Sequence, residues 1–419
     1  MASDNEATVI GAGAVGVCCA LHLLREGFRV RLIDRGGPGE GASSGNAGNL
    51  GLASCVPMAM PGVLRRVPGM LFDADSPLKL RWGHLPRALP WFLRFIAAAR
   101  PARVEAIAAA RNSLLARLHE GLDPLVAEAG AEDLIEATGL LMTFESEAAF
   151  AGAAYGIDLR RRNGVHLDVL DGNEARQIEP ALTPAVVRAI HVPGLAHTVD
   201  PLRLVQALAA DFERRGGEIV RATVRGFDGI GPDGPRRVLT AERGALEAGH
   251  TVVIAAGVWS RPLAAELGTR VPLEAERGYH TMFADPDGVR MRVSVMSGDR
   301  YIAVTPMTGG IRATGIAEFA APDAPPDMAN ARLVRRHAEA LFPGLRAADR
   351  VSEWMGPRPS HPDSKPVIGR SPRFPNVLLA FGHDHVGLSL AGITGKLIAE
   401  LAAGRPPSVD LTPFRPDRF

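Results

Sequence analysis

The chain has 419 residues, 46% of them hydrophobic, and a formal net charge of +1. That length supports two domains with sizeable cores, and the charge balance argues against nucleic acid as the main partner. Its three cysteines, Cys18, Cys19 and Cys55, cannot all pair, so they are read as buried thiols of a reducing compartment.

Thr8-Val9-Ile10 reads as a short apolar strand, Gly11-Ala12-Gly13-Ala14-Val15-Gly16 as a glycine turn, and the residues to Leu24 as an apolar helix. A second strand, Arg29-Val30-Arg31-Leu32-Ile33-Asp34, follows. Strand, turn, helix and strand in that order form a dinucleotide-binding βαβ unit. Gly11 permits the tight turn, Gly13 admits backbone amides to a pyrophosphate, and Gly16 keeps the helix close to the strand. The main chain at Ala12, Ala14 and Val15 completes the cradle, where unpaired N–H groups and partial positive charge meet the phosphates. Asp34 stands 18 residues after Gly16, where a carboxylate accepts from ribose hydroxyls and repels a 2′-phosphate. FAD or NAD is expected; NADP is not. The apolar stretch from Ala7 to Leu21 imitates an export signal, but its glycines keep the phosphate-binding spacing, and Asp4 and Glu6 replace a basic n-region. Neither an export signal nor a spanning helix is expected.

After Asp34 an NAD domain would continue with another helix and strand. Here Gly36 to Gly48 is a run of small residues instead, able to lay backbone N–H groups against a flat ring. Residues 56 to 100 place Val63, Leu64, Val67, Met70, Leu71, Phe72, Trp82, Leu85, Trp91, Phe92 and Phe95 among Arg65, Arg66, Lys79, Arg81, Arg87 and Arg94. Such a proline-broken segment suits either docking on a membrane surface near quinone or a lid or dimer contact. Residues 100 to 130 predict one long or two shorter helices, and Gly139 to Phe144 a buried strand. Pro201 to Arg214 predicts an amphipathic helix capped by Asp200, leading into a strand from Glu218 to Val224. Strands near Tyr279 to Phe283, Tyr301 to Thr305 and Ile311 to Gly315 suggest an antiparallel sheet. Leu390 to Leu401 reads as a further helix.

The small-residue loop, Thr251 to Ser260 (TVVIAAGVWS), Gly356 to Arg370 (GPRPSHPDSKPVIGR), Gly382 to Ser389 (GHDHVGLS) and the tail Asp410 to Asp417 carry a resemblance. Over nearly its whole length the chain resembles the D-amino-acid oxidase family of flavoproteins, most closely the bacterial D-amino-acid dehydrogenases. An α/β fold, α+β overall, is then expected: a Rossmann-like FAD-binding domain of glutathione-reductase type, interleaved with an antiparallel-sheet substrate domain. The expected FAD segments are 1–62, 190–258 and 350–419; the substrate segments are 63–189 and 259–349. The cofactor-binding set implied adds Arg35, Ser43, Ser44, Asn46, Ala47, Gly48, Val224 at the adenine, Ala256, Gly257 and Trp259. Near the end of the chain it adds His383, His385, Val386, Gly387, Leu388 and Ser389, where a helix N-terminus faces the flavin pyrimidine. FAD is expected to be noncovalent, because Gly45 stands where relatives carry a linking histidine and no cysteine follows Cys55.

Arg358, in Gly356-Pro357-Arg358-Pro359, matches the family's substrate-carboxylate anchor, and a guanidinium grips a carboxylate with two parallel hydrogen bonds. It is also counted with the cofactor set. Tyr301 and Tyr279 are candidate second donors or packing residues. His361 is a candidate side-chain contact or a solvated loop residue. His383 and His385 flank Asp384, but no third metal ligand is identifiable, so they are read as flavin-pocket wall and no metal is expected. The implied activity is oxidative deamination of D-amino acids by hydride transfer from Cα to flavin N5, with a quinone-type acceptor and a cytoplasmic or inner-face peripheral location. Alternatives are a D-hydroxyproline or other secondary-amine dehydrogenase, an oxygen-using oxidase, and a flavin-bearing subunit of a larger complex.

Overall fold

The computed structural model describes residues 5–63, 67, 69–70, 73, 75–286 and 288–419. Asp4, Leu64, Arg65, Arg66, Leu71 and Phe72, singled out above, lie outside the described residues. A six-stranded sheet forms one layer, in the order Glu218–Arg221, Arg29–Asp34, Glu6–Ile10, Thr251–Ile254, Val377–Phe381, Val367–Arg370. The first five strands run parallel and the last antiparallel. Their near-continuous apolar character follows from burial on both faces. The helix Ala14–Arg25 connects the first two strands in sequence and packs against Gly387–Ala402. Cys18 and Cys19 are buried in that helix and Cys55 in the loop beyond, all three as free thiols.

A nine-stranded, mostly antiparallel sheet forms the second body, with Val351–Ser360 at its edge, then Glu274–Phe283, Gly310–Phe319 and Ile302–Met307. The expected domain boundaries need three corrections. Val351–Ser360, placed by sequence with the FAD segments, is hydrogen-bonded along its length to Glu274–Phe283, and Arg188–Val192 crosses the boundary at 190 to pair with Leu140–Phe144. Helix Leu118–Ala129, placed with the substrate segments, packs on the FAD-side helices. There Gly121 meets the Gly392 backbone too closely for any Cβ, and His22 Nε2 donates to the Gly121 carbonyl at 2.9 Å. Backbone pairing and helix contact set these memberships, and neither is visible in a linear pattern.

Residues 100–130 form two helices, Pro101–Leu115 and Leu118–Ala129. Asp200 caps Pro201–Arg214 by accepting from the N–H groups of Leu202 and Arg203. The single strand expected from Glu218 to Val224 is two. Glu218–Arg221 belongs to the six-stranded sheet, and Val224 opens a three-stranded antiparallel sheet after Ala222 N–H has bonded the Asp34 carbonyl. Among the described residues no helix is long and apolar enough to cross a membrane.

Candidate active site

A cavity of about 1210 Å³ runs from the glycine turn, between the two bodies, to the helix Leu85–Ala98. Its dinucleotide end is built around the glycine turn. Gly11 adopts φ +107, and a Cβ there would lie 2.5 Å from the Ala255 carbonyl oxygen, so only glycine fits this turn. Asp34 accepts from Ala12 N–H at 2.7 Å and Gly36 N–H at 2.9 Å, fixing both loops that flank it. Ser43 Oγ accepts from Ala14 N–H at 3.1 Å. The Arg35 guanidinium lies 3.8 Å over the Trp259 ring.

Gly11, Ala12, Gly13, Ala14, Val15, Asp34, Arg35, Ser43, Asn46, Ala47, Val224, Ala256, Gly257 and Trp259 all line the cavity. So do Arg358, His383, His385, Val386, Gly387, Leu388 and Ser389. Three expected cofactor residues stand behind the wall instead. Gly16 packs under the turn, where a Cβ would come within 1.7 Å of the Gly11 carbonyl; Ser44 donates to the Gly41 carbonyl; Gly48 N–H donates to Asn46 Oδ1. They shape the loop. The residues fit FAD: a glycine turn without side chains, the Asp34 carboxylate at the end of the second strand and a backbone-lined loop share one cavity with the 16-residue helix Gly387–Ala402, whose first residues line it.

The other end is organised by Arg358. Its Nη1 donates to Glu276 Oε1 at 3.0 Å and to the Ile316 carbonyl at 3.0 Å. Among the described residues Nε and Nη2 have no hydrogen-bond partner, which leaves free the edge that takes a carboxylate side-on. The guanidinium lies over Gly278, where a Cβ would be 2.2 Å from Nη2. Glu276 Oε1 also accepts from His385 Nε2 at 2.8 Å, and Asp384 Oδ1 lies 3.2 Å from the same nitrogen. Ser360 Oγ lies within hydrogen-bond distance of both Glu276 and Asp384.

Burial alone would raise the Glu276 carboxyl, but the His385 and Arg358 charges reverse this and hold it well below the ordinary carboxylate range. Burial alone would lower His385; Glu276 and Asp384 reverse that and raise it. The His385 side chain is about a third exposed, where it opens onto the cavity. Glu276, Asp384 and His385 bring three ligand-type atoms within 4.8 Å of one another. Arg358 donates to the same Glu276 oxygen, so that carboxylate is already paired with a guanidinium.

Among the described residues, four of the five non-glycine residues with left-handed backbone line this cavity: Tyr301 (φ +52), Ile316 (φ +63), Ser364 (φ +52) and Asp384 (φ +55). For β-branched Ile316 this is genuine strain, stored where its carbonyl turns to hold Arg358. Tyr301 sits just before the strand Ile302–Met307, half exposed to the cavity, with no hydrogen bond to its hydroxyl among the described residues.

Two expectations are corrected. Tyr279 cannot be the second donor, because its buried hydroxyl donates to Glu318 at 2.5 Å and accepts from Asp327 N–H at 3.2 Å. His361 is not a solvated loop residue: it is buried against Gly382, its Nδ1 donates to the Pro272 carbonyl at 2.9 Å, and burial pushes it down to about 3, so it is neutral. His383 is likewise pushed by burial to about 3, its Nε2 hydrogen-bonded to Thr394 Oγ1 at 3.0 Å. Sequence reading missed Glu276, Ile316, Arg312 and Trp354. Two acids at alternate positions of a strand, Glu274 and Glu276, were the available signal of a buried charge. Arg312 Nη1 donates to the carbonyls of Ser44 and Asn46 and fixes the small-residue loop. The Trp354 indole stacks on His280 at 5.0 Å and fills the space over Gly45, where a Cβ would be 2.0 Å from the ring.

The FAD dependent oxidoreductase family, DAO, matches residues 6–401. The chain belongs to this family. It is 39% identical to a D-amino-acid oxidase of Bradyrhizobium diazoefficiens over 425 residues, covering 100% of both chains. It is 32% identical to a D-amino acid dehydrogenase of Paramagnetospirillum magneticum, covering 98% of each. Among solved structures, glycine oxidase of Geobacillus kaustophilus superposes with a TM-score of 0.76 at 23% identity, covering 99% of this chain and 98% of that one. L-Proline dehydrogenase of P. horikoshii superposes with a TM-score of 0.73 at 22% identity, covering 100% and 98%. These likenesses show the shared fold, an α/β FAD-binding architecture, and the family membership makes the chain a flavoenzyme that uses FAD.

Proposed function

We propose that this flavoenzyme oxidatively deaminates D-amino acids, with FAD held noncovalently. The observation that carries the reading is Arg358: a guanidinium of the cavity wall whose Nη1 is tied down and whose Nε and Nη2 have no partner among the described residues. That edge would fix an α-carboxylate in one orientation, and the half-exposed Tyr301 hydroxyl would serve as the second donor. The D-amino-acid names of the relatives at 39% and 32% identity support the substrate class.

Bound FAD supplies the acceptor for the electron pair of the Cα–H bond. The amine lone pair forms the C=N bond as that bond breaks, and water then converts the imino acid to a 2-oxo acid and ammonia. The chain holds the carboxylate at Arg358, excludes bulk water with apolar walls, and offers the N-terminus of Gly387–Ala402 to developing negative charge. No side chain is required as a base at Cα. The Trp354 ring over Gly45 supports noncovalent attachment, since it leaves no room for a linking side chain there.

For the electron acceptor we favour a quinone-type molecule reached near the helix Leu85–Ala98. Leu89 and Leu93 are exposed on that helix beside Arg87 and Arg94, with Trp82 exposed just before it, a composition suited to peripheral contact with a membrane. A second reading, oxygen as acceptor, draws on the name of the 39%-identical relative. Anaerobic titration of the yellow holoenzyme with D- and L-amino acids, prolines and N-methyl amino acids tests the reaction. Bleaching by primary D-amino acids is expected, and bleaching by secondary amines alone would replace the reading.

A further inference from the structure

Every charged Asp, Glu, Lys or Arg side chain described in the cavity wall belongs to one of two groups. Asp34, Arg35, Glu40, Arg225 and Glu266 stand at the dinucleotide end. Glu276, Arg358 and Asp384 stand at the other end, bound to one another through His385 and Ser360. Beyond that cluster the described wall is uncharged and strongly aromatic. Trp91 donates from Nε1 to the Ser360 carbonyl at 3.0 Å, which fixes its indole two residues along the strand from Arg358. It stacks on Phe95 at 5.1 Å and meets Phe319 at 5.0 Å; Phe92 meets Phe319 at 4.9 Å. Phe319 ends the same strand on which Ile316 turns its carbonyl to Arg358. Trp91, Phe92, Phe95 and Phe319 all reach the cavity.

We infer that this aromatic compartment is the subsite for the substrate side chain and that the enzyme selects bulky apolar and aromatic D-amino acids over small or charged ones. The inference rests on the D-amino-acid reading above and deepens it. A carboxylate held on the free edge of Arg358 brings the rest of the molecule against this wall, because two hydrogen-bonded links, through Ser360 and Ile316, join the anchor to the aromatic cluster. An aromatic or branched side chain there exchanges water for ring contacts. A side-chain ammonium or carboxylate finds no opposite charge in the described wall of this compartment and loses its hydration without compensation. The Arg81, Arg277 and Glu318 group does not supply one, because it is tied together behind the wall and none of the three lines the cavity. Nor do His84 and Arg261, which share Glu274.

The test is a kcat/KM series for the holoenzyme with an artificial dye acceptor, using D-phenylalanine, D-leucine, D-alanine, D-glutamate and D-lysine. D-Phenylalanine and D-leucine are expected to exceed D-alanine by roughly 10-fold and the two charged substrates by roughly 100-fold. Phe92→Ala is expected to lower the D-phenylalanine to D-alanine ratio by roughly 10-fold, with Phe92→Leu lying between, while flavin content and melting temperature report that each variant is folded. Preference for D-alanine or a charged substrate, or a ratio indifferent to Phe92, overturns the side-chain subsite and leaves the D-amino-acid reading intact. A ratio indifferent to Phe92 combined with a raised KM for quinone would give the compartment to the acceptor. Failure of every amino acid in the series to bleach the flavin anaerobically overturns both.

Discussion

Arg358 and Glu276 face each other across two antiparallel strands, and Nη1 of the arginine donates to Oε1 of the glutamate at 3.0 Å. The same oxygen receives His385 at 2.8 Å, so one buried carboxylate joins the candidate substrate anchor to the residues that lead into the flavin-side helix. Orientation of the arginine is therefore fixed before substrate arrives, and the entropy of ordering it is not lost on binding.

Arg358→Ala removes the proposed carboxylate contact and leaves Glu276 with His385 and Ser360. The expected loss is about 2 to 3 kcal/mol in kcat/KM, roughly 30- to 160-fold, with flavin content unchanged. Arg358→Lys should recover little, because an ammonium cannot present two parallel donors. Steady-state kinetics with a dye acceptor, alongside the flavin absorbance of each variant, check both statements.

The Glu276–His385 pair makes a definite contribution to stability as a function of pH. Glu276 is held below its ordinary value of 4.5, so its contribution is present above that pH and is lost as pH falls towards the folded value. His385 is raised above its ordinary 6.5, so its contribution is present below that pH and is lost as pH rises through the folded value. Both terms are whole between about 4.5 and 6.5. The stability difference between the wild type and Glu276→Gln, from urea unfolding across a pH series, should be largest in that window and shrink on either side. Asp384 and Arg111, 3.9 Å apart, stay in place in both proteins.

Gly45→Ala sets a Cβ 2.0 Å from the Trp354 ring. The ring or the loop must shift, at a cost of about 1 to 3 kcal/mol. The variant should melt at lower temperature and hold flavin less tightly, and Trp354→Leu in the same chain should restore part of both. Acid precipitation of the wild type should leave its flavin in the supernatant.

Much of the dinucleotide end was legible because each part is local: a glycine spacing, a helix start and a carboxylate at a fixed distance fall within the first 34 residues. Arg358 was legible through the residues beside it. The partners that make it a site were not, since Glu276 lies 82 residues away and Ile316 42, and only strand register brings them together. Tyr279 misled for a related reason. A bulge between Arg277 and Tyr279 alters the pairing, and its hydroxyl ends buried on Glu318. The domain boundary at 350 failed because hydrogen-bond pairing, absent from any linear pattern, assigns Val351–Ser360 to the nine-stranded sheet.

The proposed acceptor has a kinetic signature. Enzyme reduced by substrate without air should be reoxidised by a quinone or a dye far faster than by oxygen. Replacement of exposed Leu89 and Leu93 by serine should slow the membrane-bound quinone and not the soluble dye. Stopped-flow reoxidation checks this, and air-driven turnover with stoichiometric hydrogen peroxide would support oxygen.

The most direct test follows one amino acid in both enantiomers. Anaerobic mixing of the holoenzyme with D-phenylalanine should bleach the bound flavin and yield one 2-oxo acid and one ammonia per flavin, while L-phenylalanine leaves the spectrum unchanged. Bleaching by the L form with none by the D form, or bleaching with no 2-oxo acid released, would contradict oxidative deamination of D-amino acids at Arg358.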